Sequence, residues 1–229
     1  AFLYAAGTID DAIAVFSVNA STGLLTPASV LRQSDPGLDG LNGVVDLAWG
    51  NNGSHLLAVA PANQSLAAFA RNAGTGALTP AGMLQDFQVP TAGGVLADPN
   101  ALLVQGDQVF VASTANHRVS RFRFATAPSP AFTLDASIVN GQAGVVGMLL
   151  PDALAYDSDQ ARLYVGSQGG GLHLFSLIGA QPQLLESRVA AASPVLTGVR
   201  AMALSHHMRQ LYTLGTSPGG VGVWARERG

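Results

Sequence analysis

Apolar and polar positions along this 229-residue chain alternate in short runs that do not lengthen into a helical face. Five runs carry an aromatic residue: AIAVFSV, SLAAFAR, RVSRFRF, GLHLFSL and GVGVWAR. Each alternates with the period of two expected of a strand with one buried face. Their aromatics, Phe16, Phe69, Phe122, Phe175 and Trp224, stand at intervals of 53, 53, 53 and 49 residues. A period near fifty marks a repeat architecture and outranks any local assignment.

Taking these runs as strand c of each repeat, the others fall into place around them. Ahead of each lies a second β-rich run, FLYAAG, HLLAVA, QVFVAS, RLYVGS or QLYTLG, joined to strand c by short Gly, Asn, Ser or Asp segments typical of hairpins. Ahead of the last four come VVDLAW, NALLVQ, DALAYD and RAMALS as strand a. Strand d follows the first four as LLTPASVL, ALTPAGML, FTLDASIV and QLLESRV. Four antiparallel strands at this period predict an all-β fold, a β-propeller of four-stranded blades. A pair of β-sandwiches would not give so regular a spacing. The repeats run approximately 1–40, 41–94, 95–147, 148–196 and 197–229 within one propeller domain. The first lacks its inner strand and the last its outer strand. The chain therefore reads as part of a larger propeller; the alternatives are a five-bladed ring with thin end blades, or completion by another chain pairing with the free sheet edges.

Composition narrows the function classes. Apolar residues make up 48% and charged residues 11%, enough for a packed core and too little charge for a disordered chain. Mean hydropathy is +0.30, but every apolar stretch is broken by Pro, Gly, Asp or Asn short of a membrane helix. The net charge of -3, with eleven Arg and no Lys on the positive side, gives no attraction for a phosphate backbone, and nucleic acid is not an expected partner. Without cysteine there is no disulfide, thiolate metal site or thiol nucleophile. The chain opens at Ala1 with no basic-then-apolar leader and reads as processed, trimmed or excised. The compartment stays open, with a periplasmic or extracellular setting favoured.

The strand-c aromatic is followed by Asn-x-x-Thr-Gly-x-Leu-Thr-Pro at Asn19 to Pro27 and Asn72 to Pro80. Strand a opens with Pro-Asn-Ala-Leu at Pro99 and Pro-Asp-Ala-Leu at Pro151. On these motifs nearly the whole chain resembles the lactonase-type bacterial propellers, the group of 6-phosphogluconolactonase-like proteins. The resemblance implies a propeller, usually seven-bladed and longer than this chain, and an activity on sugar lactones.

Aligning the starts of the inner strands makes Val45, Asn100, Asp152 and Arg200 equivalent positions, where propeller blades converge on a channel mouth. Asn100, Asp152 and Arg200 are the candidate ligand-binding residues. Asn and Asp oxygens would suit a calcium ion at that mouth, whereas the Arg argues for an anionic sugar or carboxylate; no other cofactor or metal is expected. The bland alternative is that Asp152 and Arg200 form an ion pair and Asn100 caps a connecting loop. Of the five histidines, His206 and His207 fall in a turn, His117 in another, and His55 starts a strand b. His173 shares a face with Phe175 and reads as a packed, hydrogen-bonded residue. Gly169-Gly170-Gly171 lies between two strands and reads as a hairpin turn, and Asp157-Ser158-Asp159 lacks the remainder of a calcium loop. Asn19, Asn52 and Asn63 open glycosylation-like triplets in turns.

Two functions remain. The first is a non-catalytic binding or assembly module, part of a larger exported or cell-surface protein, holding a protein partner or glycan on long connectors such as Gln33 to Asn42 and Gln85 to Pro99. The second, implied by the resemblance, is a lactone hydrolase in which Arg200 polarises the carbonyl and Asp152 or His173 handles protons. With no catalytic constellation evident, the first is the leading expectation.

Overall fold

The computed structural model describes residues 1–89, 94–189, 196–205, 207, 210–216 and 219–225. Eighteen strands form five sheets among them, with one-turn 3-10 helices at Asn51–Gly53 and Asp86–Gln88. The first sheet is β1 (Phe2–Gly7), β2 (Ala12–Val18) and β3 (Leu25–Arg32). The second is β4 (Asp46–Gly50), β5 (His55–Ala60), β6 (Ser65–Arg71) and β7 (Leu78–Gln85). β8 (Pro99–Gln105), β9 (Gln108–Ser113), β10 (Arg118–Ala125) and β11 (Ala131–Val139) make the third, and β12 (Pro151–Asp157), β13 (Arg162–Ser167), β14 (Gly171–Ser176) and β15 (Gln183–Val189) the fourth. The last sheet holds β16 (Val199–Leu204), β17 (Gln210–Gly215) and β18 (Gly220–Ala225). Within every sheet the strands neighbour one another in chain order, the meander of a propeller blade. The fold is an all-β partial propeller, with three strands in the first and last sheets and four in the others.

By compactness the chain divides into two units, Ala1–Val111 with Phe122–Leu134, and Ala112–Arg121 with Asp135–Gly229. In the first unit β5 and β6 are buried on both faces. Leu56, Ala58, Ala67 and Phe69 enter one cluster with Ile13, Val15 and Leu41, while Leu57, Val59, Leu66 and Ala68 enter another with Val95, Val109 and Phe122. Burial on both sides is why HLLAVA is continuously apolar where a half-exposed strand would alternate. The second unit has its own cluster, in which Ala153, Ala155, Tyr164 and Leu172 pack with Leu196, Val199 and Leu211. The repeat aromatics Phe69, Phe122 and Phe175 are fully buried, each contributing roughly 1.5–3 kcal/mol by leaving water.

The duplicated Asn-x-x-Thr-Gly motif has a common physical basis. Oδ1 of Asn19 accepts the N–H groups of Ser21 and Thr22 at 2.9 and 3.0 Å, and Oδ1 of Asn72 accepts those of Gly74 and Thr75 at the same two distances. Gly23 and Gly76 then close each turn onto the Asn carbonyl at 2.8 Å, with φ of +72° and +73° that glycine adopts without a Cβ clash. The following proline lies opposite the repeat aromatic: Phe16 faces Pro27 and Phe69 faces Pro80, each beside a bulge. Both prolines sit on the outermost strand of their sheet, where a residue without an N–H does not interrupt a ladder.

Candidate active site

In the second unit, inner strands β12 and β16 share an irregularity. Pro151 pairs with Ser167 and Ala153 with Gly166, so Asp152 is the extra residue of a bulge. Val199 likewise pairs with Gly215 and Ala201 with Leu214, leaving Arg200 as the extra residue. A bulge frees one side chain from strict alternation and re-aims it. These two meet, Nη1 of Arg200 lying 3.4 Å from Oδ2 of Asp152. The Asp152 side chain is 12% exposed and that of Arg200 54%. A charge-assisted bond is normally about 2.7–2.9 Å, so this pair is loose and the guanidinium keeps donors for an incoming oxygen. Ser167, opposite Pro151, is fully buried, and its Oγ has no hydrogen-bond partner among the described residues. The sequence reading did not single it out; the signal was the serine closing both QVFVAS and RLYVGS.

Asn100 and Val45 belong to the first unit. Nδ2 of Asn100 donates to the carbonyl of Asp98 at 3.0 Å, bracing the loop ahead of β8, and Val45 donates its N–H to Val59. The more consequential group is the adjacent Asp46, which the sequence reading passed over. Its Oδ1 accepts its neighbour Leu47 N–H and its Oδ2 the N–H of Leu102 on β8, both at 2.8 Å, fastening one inner strand to the next. Burial raises its pKa above the usual carboxylate range, and the two N–H donors oppose the rise.

His173, His117 and His55 are structurally occupied. His173 is fully buried, its Nδ1 2.9 Å from Oγ of Ser187; burial lowers its pKa, while the carbonyl of Gly147 beside the ring works the other way. The ring is closed off from solvent. Nδ1 of His117 accepts the N–H of Leu150 at 3.0 Å. His55 meets Ser54 through Nδ1 and sets its ring edge-on to Phe124. His207 is exposed in a turn, and His206 lies outside the described residues. Among the described residues no group of three or more His, Asp or Glu is arranged to hold a metal ion. A further buried charge went unnoticed in the sequence: Arg121, with a side chain 4% exposed, pairs with Asp135 at 2.9 Å and donates to the carbonyl of Ala180.

No family model matches the chain, and no curated protein matches its sequence. Solved structures do match in fold. A protein from Lactobacillus plantarum superposes with a TM-score of 0.80 at 15% identity, over 99% of this chain and 64% of its own. A Bacteroides uniformis protein provisionally named a 6-phosphogluconolactonase gives 0.72 at 16% identity, over 99% and 64%. The periplasmic gluconolactonase of Pseudomonas aeruginosa gives 0.69 at 21% identity, over 94% and 60%. The chain thus spans somewhat under two thirds of these neighbours' length, and their likeness is one of fold, shared with solved β-propeller domains. The leading expectation from sequence, a non-catalytic binding or assembly module, is corrected here. The named activities among these neighbours are lactonases.

Proposed function

We propose that this chain is a lactonase-like hydrolase acting on a sugar lactone, with the reacting groups on the bulged inner strands of the second unit. The observation that carries the reading is the loose pairing of Asp152 with an exposed Arg200, each the extra residue of a bulge. Arg200 donates to the lactone carbonyl oxygen and stabilises the oxyanion as water adds to the carbonyl carbon. Asp152 takes the proton that water loses and returns it to the ring oxygen when the acyl C–O bond breaks, leaving an open-chain hydroxy acid. The likeness to the two lactonase neighbours supports the substrate class.

The test is hydrolysis of gluconolactone by the full chain, with spontaneous opening subtracted. Arg200→Ala and Asp152→Asn are each expected to lower kcat by about a hundredfold or more. Catalysis that survives both substitutions together would remove these residues from the reaction.

A further inference from the structure

The first unit holds a cavity of about 590 Å³, within the usual range for small-molecule sites. Phe2, Trp49, Val104 and Gly106 give it an apolar wall, and Asn52 and Arg71 its polar groups. Trp49 is 45% exposed although it lies within a strand. Tyr4 sets its ring edge-on to the indole at 5.1 Å and anchors its own hydroxyl by donating to the Gly76 carbonyl at 2.7 Å. Arg71 lies over the indole with its guanidinium carbon 5.3 Å from the ring centre, and Nε donates to the Gly53 carbonyl at 2.7 Å.

These contacts fix the guanidinium without neutralising it. Arg121, Arg123, Arg188 and Arg200 each pair with a carboxylate, whereas no ion pair of Arg71 is found among the described residues, and none of the residues lining its cavity is acidic. Arg71 is stacked and held through Nε, and its guanidinium also hydrogen-bonds the neutral Tyr4 hydroxyl, which leaves its charge for an incoming carboxylate. The aromatic wall beside it favours a flat or apolar body behind that charge.

We propose that this cavity binds a small organic carboxylate with a planar apolar body, the anion on Arg71 and the body against Trp49 and Phe2. The site shares no residue with the pair proposed for lactone hydrolysis, Asp152 and Arg200.

Trp49 and Trp224 are the two tryptophans of the chain, so Trp224→Phe leaves Trp49 as the reporter. Titration of that variant with benzoate is expected to give a saturable change in Trp49 emission. Benzamide, of the same shape but neutral, should need at least about tenfold more, the equivalent of roughly 1.4 kcal/mol. Arg71→Gln should abolish saturation. Val104→Trp in a Trp49-independent assay, equilibrium dialysis of labelled benzoate, should abolish binding by filling the cavity while leaving Arg71 in place, and decides the matter if Arg71→Gln does not fold. Emission that changes linearly with benzoate, equal affinity for benzamide, or benzoate retained by folded Arg71→Gln or Val104→Trp would each overturn the proposal.

Discussion

Nδ1 of His173 meets Oγ of Ser187 at 2.9 Å, directly across the β14 and β15 ladder, with the imidazole fully buried. Burial holds the imidazole below its ordinary pKa of about 6.5. The unfolded chain therefore takes up this proton first as pH falls. Stability from the neutral ring is complete above about 6.5 and is lost as pH drops through the unfolded value toward the lower folded one. Urea unfolding from pH 7.5 to 5 should show a steeper loss in the parent chain than in His173→Gln, by up to ~1.4 kcal/mol per pH unit. Parallel curves would show that another group sets the slope.

Gly23 and Gly76 occupy the same place in the duplicated turn but have different surroundings. A Cβ at Gly23 would meet nothing within 4 Å, whereas one at Gly76 would come 2.4 Å from the Phe2 ring. Gly23→Ala is expected to cost about 1 kcal/mol for its left-handed backbone. Gly76→Ala should cost about 1–3 kcal/mol more as the ring is pushed aside. Thermal unfolding of the two variants measures the difference directly; equal losses would mean that Phe2 moves without cost.

Arg121 is the buried partner in its pair with Asp135. Asp135→Ala strands its charge and is expected to cost about 3–5 kcal/mol in denaturant unfolding, while replacing both residues by leucine should cost less than that single change. If the double variant is the less stable of the two, the pair is contributing net stability.

How far the sequence reading reached depended on what each residue does to the hydropathy pattern. FLYAAG, HLLAVA, QVFVAS, RLYVGS and QLYTLG are β1, β5, β9, β13 and β17 over the same residues, because β-rich runs between strong turn signals leave little freedom in where a strand begins. The duplicated Asn-x-x-Thr-Gly turns were equally plain, each carrying its own hydrogen-bond acceptor in sequence. Asp46 escaped notice because a carboxylate at the start of a strand looks like a solvated one, and its partner Leu102 is 56 residues away. Arg121 escaped for a related reason: in RVSRFRF it resembles its exposed neighbour Arg123, and the acid that permits its burial stands on the next strand. The bulges were invisible altogether, since one extra residue in a strand changes register without changing composition.

Asp152 and Arg200 are set apart from the residues on either side of them by those bulges. Pro151 and Ala153, and Val199 and Ala201, keep their cross-strand partners, while the residue between them answers to neither. Neither residue belongs to the apolar cluster around Ala153 and Val199, so neither the ladder nor that cluster depends on its side chain. The openings of β12 and β16 can thus vary their chemistry at little risk to folding, which makes these two positions the places where the blade scaffold can exchange side chains most cheaply over evolutionary time.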